Sequence, residues 1–434
     1  MSEPRTAIVL GGYGLIGAAC VRALQRHGFR VVGVGRDRRA AEASAPNIDW
    51  RIADISAASV GEWRELLAEA EVVVNAAGAL QSGVRDDVEA IHVTAIERIT
   101  TALAGRKVRF VQISAAGVSE TASTAFFRTK AKGDGVLIAS QLDWVILRPT
   151  LVLAPAAYGG TALLRASAAM PIFGLLVAPS SPVATVFIDD VAAAVVAATC
   201  GDIPSRTIAD LTESESRPFA DLVRAIRTWL GFRPWSLTCN VPSPLVRYAA
   251  RIADALGWLG WRSPMRTTAI TVLAEGVGGD PAAWRVAGGS PCRPLRETLA
   301  AMPATTQDRW FARLYLALPL IIGTLALFWT ASGLVGLWQK PAAIDVLLTR
   351  GASPALAEAA VLLGALTDIV LGVSILVRRF ARGAALAMIV VSLAYLAGAT
   401  LLAADLWADP LGPLLKILPA LMLALVAAAI LDER

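Results

Sequence analysis

Charge is what this sequence has least of. Only 17% of its 434 residues are Asp, Glu, Lys or Arg, where a soluble domain carries about a quarter. Hydrophobic residues make up 56% and the mean hydropathy is +0.58. Disorder needs the opposite composition and is excluded, and so is a wholly water-soluble chain. Histidine is limited to His27 and His92, which excludes a His-rich metal site. Cysteine is limited to Cys20, Cys200, Cys239 and Cys292, scattered and without a C-x-x-C pair. Neither a zinc site nor a disulfide framework is indicated, and no metal is expected. The net charge of +5 contains no block of like charge. Nucleic acid is therefore not an expected partner, and anionic lipid is the easier one.

The missing charge is concentrated at one end. Residues 314–434 hold seven basic and seven acidic residues. Four segments, roughly 314–338, 355–377, 383–403 and 411–431, reach the ~20 apolar residues that cross a bilayer. Arg309 and Arg313 precede the first span, Arg378, Arg379 and Arg382 separate the second from the third, and Arg434 ends the chain. The other side has Lys340 and Arg350, with Asp405 and Asp409 in the last loop. The lysine and arginine bias predicts a multi-pass protein of the cytoplasmic (inner) membrane with both termini cytoplasmic. Glu358, Asp368 and Lys416 are the ionisable residues inside these spans and are functional candidates by position. At ~1.5 Å per residue, Glu358 and Lys416 lie at similar depth, which predicts that they pair and leave Asp368 near the midplane.

Residues 1–235 read differently. Short apolar runs at Ala7–Leu10, Arg30–Val34, Val72–Asn75, Arg109–Ile113 and Trp144–Leu147 alternate with helical patterns. This rhythm predicts a doubly wound parallel α/β sheet of the Rossmann type. The opening MSEPRTAIVLGG lacks a long apolar stretch before its glycines, so Ala7–Leu10 reads as a buried first strand rather than part of a signal peptide. Gly11-Gly12-Tyr13-Gly14-Leu15-Ile16-Gly17 follows, then a helix predicted over Ala18–Arg26. Strand, glycine turn and helix N-terminus together form a cradle for a pyrophosphate. The second strand runs into Arg36, with Asp37 beside it and Arg38 and Arg39 behind. A guanidinium suits a ribose 2′-phosphate, which points to NADP with NAD as the alternative.

These residues resemble the extended or atypical branch of the short-chain dehydrogenase/reductase superfamily. The spacing Gly11, Gly14, Gly17 is that branch's pattern. Asp54-Ile55 matches its adenine-contacting pair, Asn75-Ala76-Ala77-Gly78 its NAAG turn, Arg148-Pro149 its RP element, and Ile188-Asp189-Asp190-Val191-Ala192 its docking-helix start. The resemblance implies nicotinamide-nucleotide binding by Gly11–Gly17, Arg36, Asp54, Ile55, Ala76, Ala77, Gly78 and Lys130. It also implies a catalytic Tyr-x-x-x-Lys with a Ser after the fifth strand. Here Lys130 and Ser114 are in place, but the tyrosine position is Phe126. A phenyl ring carries no proton to give or take. Superfamily members without the tyrosine include reductases, isomerases and nucleotide-binding structural subunits such as the accessory subunit of respiratory complex I.

Residues 236–313 form a third, Trp-rich region. Within Pro244–Trp261, Leu245, Tyr248, Ile252, Leu256 and Leu259 share one helical face, away from Arg247, Arg251 and Asp254. That pattern fits either a helix at the lipid headgroups or a helix packed on the α/β core. Beyond it, the segment Leu406–Pro419 and Asp368 within Thr367–Gly372 resemble the DoxX-like four-helix membrane family. The expected whole is an α/β Rossmann domain (1–235), a substrate or linker region (236–313) and an all-α four-helix transmembrane domain (314–434). The expected function is a membrane-bound NAD(P)H-dependent reductase of a lipophilic substrate such as a quinone or isoprenoid. The alternatives are a catalytically silent nucleotide-sensing or assembly subunit with a membrane-protein partner, and a nucleotide-regulated conduit.

Overall fold

The computed structural model describes residues 4–83, 86–261, 263–410 and 412–431. Arg434 and Leu411, used above for orientation and for the DoxX-like resemblance, lie outside them. The chain forms two compact units, one of residues 1–254 and 263–312, the other of 255–262 and 313–434.

The first unit is built on the predicted strands. They are β1 (Thr6–Leu10), β2 (Arg30–Gly35), β3 (Asp49–Ile52), β4 (Val72–Asn75), β5 (Arg109–Ile113) and β6 (Asp143–Pro149). Short strands β7 (Leu151–Leu153), β8 (Gly174–Leu176), β9 (Pro182–Val183) and β10 (Thr185–Phe187) follow, then β11 (Thr207–Leu211), β12 (Arg217–Pro218) and β13 (Thr238–Asn240). Seven strands pair in the order β11-β6-β5-β4-β1-β2-β3, and every pairing in this sheet is parallel. β1 and β4 are buried along their whole length, as strands covered on both faces must be. The chain winds outward from β1 to β3, then crosses to β4 on the other side. That reversal opens a crevice between β1 and β4 at their carboxyl ends.

Helices α1 (Leu15–Arg26), α2 (Arg38–Ser44), α3 (Val60–Leu66), α4 (Ala95–Ala102), α5 (Ala125–Ala139), α6 (Gly159–Ala168), α7 (Ile188–Cys200) and α8 (Phe219–Trp229) complete the α/β part. Two apolar cores result. One holds Val9, Leu24, Val111 and Val195, the other Ile8, Trp63, Ile99 and Phe110. Helix α1 starts at Leu15, three residues before the predicted start, because extended Gly14 is its N-cap and Gly17 lies inside its first turn.

Residues 236–313 are not a separate body. They supply α9 (Ser243–Trp258), α10 (Thr267–Glu275), α11 (Ala282–Val286) and α12 (Leu295–Ala301). Trp284, Leu295 and Met302 join the first core. Trp284 is pinned by its indole N–H to Ser290 O, and Trp229, which lies before the region, donates in the same way to Met302 O within it.

The second unit is helical. Helices α13 (Thr306–Trp338), α15 (Pro354–Ser374) and α16 (Arg378–Leu402) are long and apolar enough to cross a membrane. A short α14 (Lys340–Leu348) lies between the first two, and α17 (Ile417–Ile430) ends the unit. The fourth predicted span, 411–431, is therefore a helix of 14 residues. Gly412 takes a positive φ and Pro413 follows it, so the backbone turns there and Lys416 becomes the N-cap of α17. Leu318, Trp329, Ala385, Met388 and Ala424 meet in the core of the unit, while Leu327, Leu363, Val370 and Val390 point outward.

Candidate nucleotide-binding and polar membrane sites

The predicted nucleotide-binding residues converge on the carboxyl edge of the sheet. Gly11 has φ +69°, and a Cβ there would stand 2.9 Å from Ala77 Cα, so the loop after β1 packs directly on the turn after β4. A Cβ at Gly17 would run into the Gly11 carbonyl. The first turn of α1 thus closes onto the loop, and Gly14 offers no side-chain cap to its amides. Those amides and the positive helix end are left to a phosphate. The residues present fit a dinucleotide. Asn75 stiffens the opposite wall: its side-chain oxygen accepts from Ala77 N–H at 3.2 Å, and its amide donates to Gln112 at 2.9 Å.

At the ribose end, Tyr13 lies across Gly35, and Trp50 covers Gly33 and Gly12. Trp50 is held by an indole N–H bond to Ala45 O at 2.9 Å. Arg36 stands at the tip of β2, with Nη2 2.6 Å from Asp86 Oδ1. Asp37 is occupied elsewhere. It caps α2 by accepting from Ala40 N–H at 3.0 Å. Asp54, after β3, accepts from the Ser56 amide and hydroxyl, and these bonds hold its carboxyl below the usual range. Ile55 beside it is half-buried and packs against the second core.

At the other end, Lys130 on α5 is buried and donates to Ile113 O at 2.8 Å. Burial pulls its amine down to about 8 against the opposing charge of Asp134. A Cβ on Gly78 would stand 3.5 Å from both Lys130 Nζ and His92 Nε2. Ser114 is buried and donates to Asp134 Oδ2 at 2.8 Å, and Arg148 Nη2 reaches the same oxygen at 2.9 Å. Burial pushes the Asp134 carboxyl up, against Ser114 and Arg148. Phe126 stacks edge-on against His92, ring centroids 5.8 Å apart.

His92 and Asp134 are the residues that sequence reading missed. His92 lies in a π-helical turn, Ala90–Thr94, that runs into α4. Ala79 N–H donates to its Nε2 at 3.2 Å, which places the ring proton on Nδ1, 2.8 Å from Thr129 Oγ1. Burial, then the Lys130 charge, brings His92 down to about 3, so it is neutral. It fixes the end of the turn after β4. The available signals were weak: His92 shares a helical face with Ile96 and Ile99, and Asp134 lies one turn after Lys130.

The membrane residues come together differently from expectation. Glu358 pairs with Lys340 at 2.6 Å, not with Lys416. Helix α14 begins at Lys340 and brings it to Glu358 near the start of α15, whereas the four-span expectation left Lys340 in a loop and offered Lys416 instead. Asp368 is buried between three helices. Ser332 Oγ on α13 donates to its Oδ2 at 2.9 Å, and the Tyr395 hydroxyl on α16 donates to its Oδ1 at 2.9 Å.

The sheet order and the glycine crevice define a doubly wound dinucleotide-binding unit. Comparison with known proteins agrees. Residues 11–198 match the NAD(P)H-binding family and residues 326–425 match the DoxX-like family. The chain thus joins an NAD(P)H-binding domain to a DoxX-like domain, and that domain with its apolar helices marks the protein as membrane-associated. Among solved structures, it is similar to a UDP-glucose 4-epimerase from Thermotoga maritima in complex with UDP-glucose (13% identity, TM-score 0.53, 72% of this chain and 99% of that one). It is also similar to the Bordetella bronchiseptica enzymes WbmG (14%, 0.52, 69% and 93%) and WbmH (17%, 0.53, 72% and 98%), both solved with NAD. The fold implied by the short-chain dehydrogenase/reductase resemblance is therefore the fold present. No curated protein sequence matches the chain significantly.

Proposed function

We propose that the protein is a multi-pass protein of the cytoplasmic membrane that reduces a lipophilic acceptor, such as a quinone or an isoprenoid, with NADPH. The carrying observation is an assembled nucleotide crevice with no proton donor at the tyrosine position. Phe126 has none, and the Ser114 hydroxyl is given to Asp134. A simple ketone needs an acid as its oxygen becomes an alkoxide. A quinone spreads that charge over its conjugated ring and takes its proton from water afterwards. The bound nicotinamide nucleotide supplies the hydride.

The chain's own groups do the rest. The first-turn amides of α1 hold the pyrophosphate, and Arg36 pairs with the 2′-phosphate. Asp37, serving as a helix cap, is not offered to a ribose hydroxyl. Lys130 stands beside Gly78 for the nicotinamide ribose. Arg309, Arg313, Arg378, Arg379 and Arg382 put the nucleotide-binding unit on the cytoplasmic side.

The test is NADPH oxidation by membranes containing the protein, with and without added quinone. Quinone-dependent loss of NADPH, absent from control membranes, is the expected result. Tight NADPH binding with no acceptor consuming it would instead favour a nucleotide-sensing or assembly subunit. That second reading is supported by the internal bonds that occupy Ser114 and Lys130.

A further inference from the structure

Helix α9 has two apolar faces. Val246, Ala250 and Ala253, at spacings of four and three, are buried. On another side of the same helix, Leu245, Tyr248 and Ile252, at spacings of three and four, are 60%, 66% and 46% exposed. Leu259 extends the stripe past the helix end, and Trp258 beside it is 75% exposed. Water-soluble surfaces rarely leave such a row of large apolar side chains uncovered. Arg247 and Arg251 flank the stripe and are exposed.

The position of the stripe's end identifies what covers it. Arg378 N–H donates to Leu259 O at 3.0 Å, and Trp261 Nε1 donates to Leu376 O at 2.6 Å. The Arg378 guanidinium lies 5.8 Å from the centre of the Trp261 ring. Leu376 and Arg378 form the junction between α15 and α16, both of membrane-crossing length. A junction between two such spans lies at a bilayer surface. Leu259, the last residue of the stripe, is therefore tied by its carbonyl to that junction.

We infer that α9 is an interfacial helix, lying in the plane of the membrane that the chain's own spans cross. Leu245, Tyr248, Ile252 and Leu259 enter the boundary between headgroups and acyl chains. Arg247 and Arg251 reach anionic headgroups, their stems lying along the apolar layer. The occupant is lipid, because the chain leaving the helix is already tied to the end of two spans. The inference rests on the membrane reading of α13, α15 and α16 and is independent of cofactor and substrate.

Collision accessibility tests it in the full chain. The four native cysteines are replaced, and single spin labels are introduced through Leu245→Cys, Tyr248→Cys, Ile252→Cys and Arg247→Cys. The protein is reconstituted in nanodiscs containing anionic lipid and exposed to oxygen, which concentrates in lipid, and to a water-soluble nickel chelate. Val370→Cys on α15 is the lipid reference and Asp202→Cys the water reference. The oxygen-to-nickel ratio at 245, 248 and 252 should rise well above that at 202 and approach that at 370, while 247 stays near 202. Ratios equal to that at 202 would place the stripe in water and overturn the inference. Low accessibility to both reagents would show that protein covers it, with the same consequence. A water-like Val370 would remove the membrane reading itself, and the interfacial helix with it.

Discussion

The Ser114 hydroxyl donates a hydrogen bond to Asp134 Oδ2 at 2.8 Å, and Arg148 Nη2 donates to the same oxygen at 2.9 Å. The serine expected to face a substrate is thereby turned into the protein. With Phe126 in the tyrosine position, the chain should not turn over simple alcohols or ketones. Phe126→Tyr should raise ketone reduction above background. It should fall short of the ~10²–10⁴-fold that a well-placed acid contributes, because Ser114 stays with Asp134. Brisk ketone reduction by the unaltered protein would show that the proton donor lies elsewhere.

Arg36 is the expected reader of the 2′-phosphate, and it shares its guanidinium with Asp86. A charge-assisted contact contributes about 1.5–3 kcal/mol, so NADPH should bind roughly tenfold or more tighter than NADH. Arg36→Ala should abolish that preference. Asp86→Asn, which removes the competing charge, should widen it. Titration of both nucleotides against the three proteins decides the matter, and equal affinities in the unaltered protein reject the assignment. Lys130→Ala should weaken both nucleotides alike.

His92 offers a direct spectroscopic check. The chain has two histidines, so the ring-proton spectrum is simple, and His92→Gln identifies the signal. With burial holding it near 3, that signal should stay fixed from pH 5 to 8. The sign for stability follows. The unfolded ring binds a proton below about 6.5, and the folded one refuses it until about 3. Stability should therefore fall as pH drops through that window, by up to about 1.4 kcal/mol per unit from this group. His92→Gln, which keeps an acceptor for Ala79 N–H, should remove this part of the slope. A titrating signal between pH 5 and 8 would contradict the buried neutral ring.

Asp368 should act as a hydrogen-bonding hub for three helices. Asp368→Leu removes the acceptor of both Ser332 and Tyr395. Interhelical bonds in membranes average about 0.6 kcal/mol each, so denaturation in detergent should report a loss of about 1 kcal/mol. Asp368→Asn, which can bond to both hydroxyls, should lose less. Equal losses in the two variants would show that geometry is not what the carboxylate supplies.

The α/β part was highly legible. Strands such as Ala7–Leu10 and Val72–Asn75 are short, β-branched and buried on both faces, and such runs have few other uses. The glycine spacing was legible for the same local reason: Gly11 needs a positive φ and Gly17 has no room for a Cβ. The apolar helices followed from length and composition, although Gly412 and Pro413 shortened the last one.

What the sequence determined by itself was local: which runs form strands, where a phosphate meets a helix end, which segments are too apolar for water, and that Phe126 carries no proton. Tertiary structure decided every pairing of distant groups. Asp134 meets Ser114 because α5 packs beside the end of β5. Lys340 takes Glu358 because α14 stands where a plain loop was expected. His92 fixes the turn after β4 because a π-helical turn aims it there. Such partners are chosen by packing across tens of residues, and a carboxylate in a sequence carries no mark of which hydroxyl or cation the fold will bring to it.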